Sequence, residues 1–178
     1  MSDAKNGHRR IDRIREDGYV AGLESLSLDE VRVRRDESLA EREYVSLLRR
    51  LVQGRAEILQ AELAARGTDE DSGPLVERLA TILAGDEPAG SSRGEAFRVG
   101  VPEDELLMAR RRVERLVADV GISDPSVLDD VSLAAAVDTL ATEERELSDT
   151  RTFVIGVVDR LQAELMRRYK DDPSLALR

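Results

Sequence analysis

The sequence contains no cysteine and no tryptophan, and its single histidine, His8, lies in a polar N-terminal stretch. The lack of cysteine excludes disulfides, thiolate metal sites and cysteine nucleophiles. A lone histidine outside any pattern disfavours histidine-based catalysis and histidine-rich metal sites. Aromatic residues account for only 3% of the chain, which disfavours β-sandwiches and β-barrels because their strands are rich in aromatic and β-branched side chains.

Long apolar runs and lysine are also scarce. No run approaches the roughly 20 apolar residues that a membrane span needs, and the N-terminus lacks the apolar core of a secretory signal. We therefore expect a cytoplasmic protein with no membrane association. The formal net charge of −10 disfavours direct DNA binding and favours a partner with a basic surface. Of the 27 basic residues only Lys5 and Lys170 are lysines, and the arginines supply planar, forked donors.

The residues that are present predict an all-α protein. Hydrophobic residues make up 41% of the chain, mostly Leu, Val and Ala, which fits helices that each bury one stripe. A length of 178 residues suffices for one domain with a core. We divide the chain into a disordered tail over residues 1–9, a single helical domain over 10–170 and a C-terminal tail over 171–178. A flexible linker rich in Gly, Pro and Ser interrupts the domain at residues 85–102.

Start and stop signals place the helices along the domain. Ser27 and Glu30 fit a capping box, so a long helix is expected from Leu28 to Arg66, a stretch without proline. A final long helix, capped by Ser132, is expected from Leu133 to about Lys170. Shorter accessory helices are expected at Ile11–Arg15, Tyr19–Leu26, Pro74–Leu83 and Glu103–Val120.

Apolar residues recur every seven positions on both long helices. The first row is Val45, Val52 and Leu59, and the second is Leu140, Leu147, Val154 and Leu161. Such rows form the seam of a coiled coil. The roughly 60 residues between the helices can return the chain, so we predict a long antiparallel coiled-coil helical hairpin. Gly54 and Ala61 are expected to allow a close approach of the two helices.

Each long helix also carries a polar stripe. Stripe 1 is Ser46, Arg49, Gln53 and Glu57, and stripe 2 is Glu144, Ser148, Arg151, Ile155 and Asp159. The members of each stripe fall within about 80° on a helical wheel. A carboxylate can accept from the N1–H and N2–H₂ edge of guanine, and Arg can donate to its O6 and N7 or to a phosphate. We expect stripe 1 to lie away from the seam. The alternative interpretation is a solvated face held by i,i+4 pairs.

At these residues the sequence resembles the RsiG-type anti-sigma factors of actinobacteria. That family carries the pattern E-x3-S-x2-R-x3-Q-x3-D on each of two long helices. Further similar segments span most of residues 9–170 apart from the linker: RRIDRI, LESLSLDEVRVRRDE, SLLRRLVQGRAEILQAEL, ARRRVERLV and RLQAELMRRY. The resemblance implies an antiparallel coiled coil that binds a dimer of cyclic di-GMP and then sequesters the sporulation sigma factor WhiG from RNA polymerase.

The resemblance also assigns ligand-binding residues. They are Ser46, Arg49, Gln53, Glu57, Glu144, Ser148, Arg151 and Asp159. Two positions depart from the pattern: Arg42 stands where the first Glu is expected and can only donate, and Ile155 replaces Gln and cannot hydrogen-bond. These departures favour a second hypothesis, a ligand-independent coiled-coil interaction module that has lost cyclic di-GMP binding. An enzyme is disfavoured, and neither a catalytic residue nor a metal or cofactor is expected, because no phosphate loop, nucleophile motif or ligand cluster accompanies the carboxylates.

Overall fold

The computed structural model describes residues 10–66, 102–119 and 125–177. Over these residues the regular elements are α1 (Arg10–Ile14), α2 (Leu28–Arg66), α3 (Glu103–Asp119) and α4 (Asp130–Asp171), with short 3₁₀ helices at Leu23–Ser25, Pro125–Val127 and Pro173–Leu177. The prediction of an all-α fold is confirmed. The predicted tail at 1–9, the helix at Pro74–Leu83 and the linker up to residue 101 lie outside the described residues.

The start of α2 is the predicted capping box. The hydroxyl of Ser27 accepts from the backbone N–H of Glu30 at 3.2 Å, and the Glu30 carboxylate accepts from the backbone N–H of Ser27 at 2.9 Å. Two of the N–H groups that a helix start leaves without partners are thereby satisfied. The hydrogen bonds that the Ser27 backbone N–H and hydroxyl donate to this carboxylate lower the pKa of Glu30.

The start of α4 differs from the prediction. Asp129, not Ser132, is the cap, because its carboxylate accepts from the backbone N–H of Ser132 at 2.7 Å and its carbonyl accepts from Leu133 N–H at 2.9 Å. An ionised acceptor is favoured at the positive end of a helix dipole, and the bond from Ser132 lowers the pKa of Asp129. The prediction at Tyr19–Leu26 was also wrong, since only a 3₁₀ turn forms after Gly22 takes a left-handed φ of 59°.

The described residues fall into two compact units, and α2 and α4 each contribute to both. Of the described residues, the terminal unit comprises 10–45 and 149–177, and the middle unit comprises 46–66, 102–119 and 125–148. The core of the terminal unit is an aliphatic cluster with one aromatic ring: Ile14, Tyr19, Leu23, Val31, Val157, Leu161 and Leu165. Burial of each large side chain contributes roughly 1.5–3 kcal/mol, which holds the short N-terminal elements against the long helices.

Arginine side chains on the long helices hydrogen-bond to the short segments of the terminal unit. Arg168 on α4 donates to the carbonyl of Leu23 at 2.6 Å, and Arg32 on α2 donates to the carbonyl of Leu175 at 2.7 Å. The carboxylate of Glu164 accepts from Arg167 and Arg168, which lowers the pKa of Glu164 to about 2. These forks join the 3₁₀ segments at Leu23–Ser25 and Pro173–Leu177 to the long helices.

The middle unit is built from the second part of α2, α3 and the first part of α4. Its buried side chains come from all three helices: Leu48, Val52, Ala56, Leu59, Ala109, Val113, Leu133, Ala136, Leu140 and Leu147. Arg66, the last residue of α2, donates to the carbonyls of Leu128 at 2.5 Å and Pro125 at 2.9 Å. It also pairs with Asp130 at 3.1 Å, so one side chain joins the end of α2 to the beginning of α4.

The two long helices run antiparallel within each unit. In the terminal unit Arg32 near the start of α2 donates to Tyr169 near the end of α4 at 3.2 Å, and in the middle unit Arg66 meets Asp130. Every member of the two seven-residue rows is buried, which confirms the predicted seam. Within the described residues, no helix combines the length and apolarity needed to cross a membrane.

The expected close approach at Gly54 was wrong. A Cβ placed on Gly54 would meet no atom within 4 Å, so the helix backbone there faces open space and not its partner helix. We expect Gly54→Ala to raise the free energy of unfolding by about 0.5–1 kcal/mol, because alanine loses less backbone entropy in a helix. Urea denaturation measures the change. Gly156→Ala on α4, where a Cβ would likewise meet nothing within 4 Å, should give a similar gain, and a loss at Gly54 would contradict the open environment.

Tyr19 is a buried titratable group in the core of the terminal unit. Its hydroxyl lies 3.0 Å from the carbonyl of Arg34 and 3.1 Å from Glu37 Oε2. Burial, with the neighbouring Glu37 carboxylate, raises its pKa from 10.0 to about 12. The folded state thus holds the proton more tightly than the unfolded state, and stability present below pH 10 is lost as the pH rises to about 12.

We therefore expect the melting temperature to fall between pH 10 and pH 12, and we expect the ionisation of Tyr19 to cause part of that fall. Tyr19→Phe should be less stable at pH 8 by about 1 kcal/mol, because a buried hydrogen bond is lost, but it should show a shallower fall above pH 10. Thermal denaturation followed by circular dichroism tests this. An unchanged slope in Tyr19→Phe would refute the assignment.

Candidate functional site

Stripe 1 lies on α2 in the middle unit, beside the buried row. Arg49 directly follows the buried Leu48, and the side chains of Ser46, Arg49 and Glu57 are half-buried while Gln53 is exposed. The position next to the seam therefore gives the half-buried Ser46, Arg49 and Glu57 one side against protein and one side towards solvent. Polar groups in such positions are partly desolvated, which strengthens their interactions relative to fully exposed groups.

An ion pair links stripe 1 to stripe 2 within the middle unit. Arg49 Nη1 donates to Glu144 Oε1 at 3.0 Å, between α2 and α4. The two side chains keep 35% and 28% of their surface exposed, so the pair is neither buried nor fully solvated. The expectation that stripe 1 lies away from the seam was therefore wrong at Arg49, whose long side chain reaches the neighbouring helix.

The oxygen of Glu144 that receives Arg49 is shared with stripe 2. Ser148 Oγ donates to the same Oε1 atom at 3.1 Å. On α2, Gln53 Nε2 donates to Glu57 Oε1 at 3.1 Å, one turn further along. The polar side chains at the edge of the seam thus satisfy one another, with a positive and a negative group held 3.0 Å apart at the centre.

The rest of stripe 2 continues along α4 into the terminal unit. There Arg151 and Ile155 are half-buried and Asp159 is exposed. Arg42, which departs from the family pattern, is half-buried on α2 and donates to the adjacent Glu43 at 2.7 Å. The middle unit therefore brings together six of the eight predicted ligand-binding residues, and Arg151 and Asp159 belong to the other unit.

The arrangement offers several hydrogen-bond donors and acceptors side by side. Carboxylates, guanidinium groups, an amide and hydroxyls provide donors and acceptors that match a guanine edge and a phosphate. Within residues 10–66, 102–119 and 125–177 the acidic groups form no cluster that could hold a metal ion. The direct contact between Arg49 and Glu144 is the feature that sequence reasoning missed. Its signal was the placement of Arg49 directly after the apolar Leu48, which lies between Val45 and Val52 of the first row.

Comparison with known families gives one match. The model of the RsiG-like family matches residues 17–83 and 119–177, which together exceed half of the chain. The match includes both polar stripes and excludes all of α3 except its last residue, Asp119. It supports an anti-sigma role in general terms, and a regulatory protein better than an enzyme. A comparison with curated proteins found no match.

The contact between Arg49 and Glu144 is open to a double-mutant cycle. We expect Arg49→Ala and Glu144→Ala each to lower the free energy of unfolding slightly, with a coupling energy of about 0.5 kcal/mol, because the pair is half-exposed. Urea denaturation of the wild type, both single variants and the double variant gives the coupling. The pair Arg50→Ala and Glu144→Ala serves as the control, since Arg50 is exposed, and should show none. Equal coupling in both cycles would contradict the contact.

Proposed function

Because the chain belongs to the RsiG-like family, we propose that it is a cytoplasmic anti-sigma factor that sequesters a WhiG-like sigma factor in a cyclic di-GMP-dependent manner. By keeping that sigma factor from RNA polymerase it would regulate transcription of sporulation genes. The observation that carries the proposal is the contact of Arg49 with Glu144, which joins stripe 1 to the first part of stripe 2 in the middle unit. No catalytic step is involved, and cyclic di-GMP acts as a regulatory ligand and not as a cofactor.

The chemistry of the stripes fits a guanine nucleotide. Glu144 and Glu57 can accept from the N1–H and N2–H₂ groups of guanine, and Arg49 can donate to O6 and N7 or to a phosphate oxygen. Ser46 and Gln53 add shorter polar contacts from the same helix face. Since cyclic di-GMP carries two guanines and two phosphates, a dimer of the nucleotide offers enough groups for both stripes.

Arg42 and Ile155 differ from the family pattern, and each limits the contacts that its stripe can make with a nucleotide. Ile155 can offer only apolar contact, so on stripe 2 the polar contacts fall to Glu144, Ser148, Arg151 and Asp159. Arg42 can only donate, which favours a phosphate over a guanine edge. We therefore propose that the two stripes contribute unequally, with stripe 2 reading guanine through two carboxylates and stripe 1 carrying more of the phosphate contact.

The charge of the chain suits the proposed partner. Sigma factors bind DNA and therefore present basic surfaces, and the chain carries a formal net charge of −10. If nucleotide and sigma factor share a composite surface, each must raise the affinity of the other by the same factor. Such coupling would make sequestration respond to the level of cyclic di-GMP.

Isothermal titration calorimetry tests the ligand and its site. Wild-type protein should bind cyclic di-GMP, and a co-purified WhiG-like sigma factor should increase the affinity. Arg49→Ala and Arg151→Ala should each weaken nucleotide binding at least about tenfold, because a charge-assisted hydrogen bond is lost. Circular dichroism should show unchanged helix content in both variants.

The matched control is Arg50→Ala, which removes an exposed arginine next to Arg49 and should bind like the wild type. An absence of heat with and without sigma factor would rule out the nucleotide. Normal binding by both Arg49→Ala and Arg151→Ala would rule out the site. Recovery of the sigma factor to the same extent with and without nucleotide would select the ligand-independent interaction module.

A further inference from the structure

Val33 is an exposed aliphatic residue in an otherwise charged part of α2. Its side chain is 61% exposed, although a valine on a helix surface gains nothing from contact with water. The neighbours at i−4, i−3, i+3 and i+4 are all acidic: Asp29, Glu30, Asp36 and Glu37. Residues at these spacings flank a helix position on both sides, so the valine is surrounded by carboxylates on its own helix.

Val33 also lies in a groove of the terminal unit. We define the Val33 groove by Gly18, Asp29, Glu30, Val33, Arg34 and Glu37, which line it together with further residues of the N-terminal segment. A Cβ placed on Gly18 would meet no atom within 4 Å, so this wall of the groove is open. The groove is therefore a shallow depression with an aliphatic centre and acidic margins.

The positive groups of the groove are engaged within the protein. Arg34 donates to the carbonyls of Tyr19 at 2.5 Å and Gly18 at 3.3 Å, and its guanidinium lies 5.4 Å from the centre of the Tyr19 ring. Arg13 pairs with Glu37. The side chain of Asp29 is 90% exposed and lies 3.6 Å from Arg32, and Glu30 is exposed although its carboxylate accepts from Ser27. Four carboxylates and two guanidinium groups line the groove, so it presents mainly negative charge to a partner.

We propose that the Val33 groove docks a basic α-helix of the sigma factor. That helix would place an aliphatic side chain against Val33 and direct flanking Lys or Arg side chains to Asp29 and Glu30. The proposal rests on the anti-sigma function and adds to it a second surface, separate from the polar stripes. Charge complementarity selects this occupant, because an acidic margin repels nucleic acid and anionic lipid and attracts a DNA-binding helix.

The substitution Val33→Arg tests the groove with little risk of unfolding. Arginine forms helices better than valine, and the four flanking carboxylates would pair with it at i,i+3 and i,i+4 spacings. With saturating cyclic di-GMP, we expect Val33→Arg to bind a WhiG-like sigma factor at least about tenfold more weakly than the wild type, since the apolar centre is lost and the margin is neutralised. The affinity for cyclic di-GMP alone should be unchanged.

The same substitution at Val131, which is 80% exposed near the start of α4, is the matched control and should bind sigma factor like the wild type. Val33→Ala keeps the charge and should give a smaller loss. Wild-type affinity of Val33→Arg for the sigma factor would overturn the docking site and leave the proposed function intact. Equal losses in Val33→Arg and Val131→Arg would also overturn it. If wild-type protein fails to bind any WhiG-like sigma factor, the proposed function fails, and the docking site with it.

Discussion

A narrow seam of aliphatic side chains is the constraint on which the rest of the structure depends. Helices of 39 and 42 residues are held in place by packing and not by propensity alone, and here the packing groups are Val and Leu at every seventh position. Because few aromatic residues are available, the buried row stays narrow. Positions next to it remain half-exposed, which is why Arg49 and Glu144 can meet between the helices and still face solvent.

The arginines of the chain form sets of hydrogen bonds that lysine could not form. Arg66 reaches two carbonyls and a carboxylate at once, and Arg32 and Arg168 each reach a carbonyl in a segment without regular helix hydrogen bonds. A planar group with five donors can satisfy several acceptors in one geometry, whereas an ammonium group is a compact point charge. The scarcity of lysine is thus consistent with a fold whose short elements are attached to long helices by side-chain forks.

The sequence predicted the features that depend on one helix at a time. The capping box at Ser27 and the rows that include Val52 and Leu147 follow from local spacing, so the helix bounds and the antiparallel pairing were close to those observed. Two kinds of feature were missed. One is the choice between two residues that can both cap a helix, and the other is any contact that depends on the position of a neighbouring helix. Both Asp129 and Ser132 can cap a helix, and only the backbone path selects Asp129. The empty space beside Gly54 depends on how α2 is rotated about its axis.

In the candidate site, too, the features set within one helix were predicted and the contacts between helices were not. A helical wheel groups Ser46, Arg49, Gln53 and Glu57 on one face, but it contains no information about which α4 residue faces them. The pairing of Arg49 with Glu144 comes from the register between the helices, which is set by the whole seam. Likewise, spacing predicted that Arg151 and Asp159 share a face with Glu144, and their place in a different unit is a property of the fold.

For the proposed ligand, the mutual satisfaction of Arg49, Glu144 and Ser148 has a consequence for specificity. A nucleotide that takes Arg49 for its phosphate leaves the Glu144 carboxylate without a cation 3.0 Å away, and that loss must be offset. Guanine offsets it because its N1–H and N2–H₂ groups are donors that a carboxylate accepts. Adenine presents an acceptor at N1, and inorganic phosphate presents no base at all, so each would place an acceptor or an anion beside Glu144. The ion pair between Arg49 and Glu144 would therefore act against ligands that satisfy only one of its two charges.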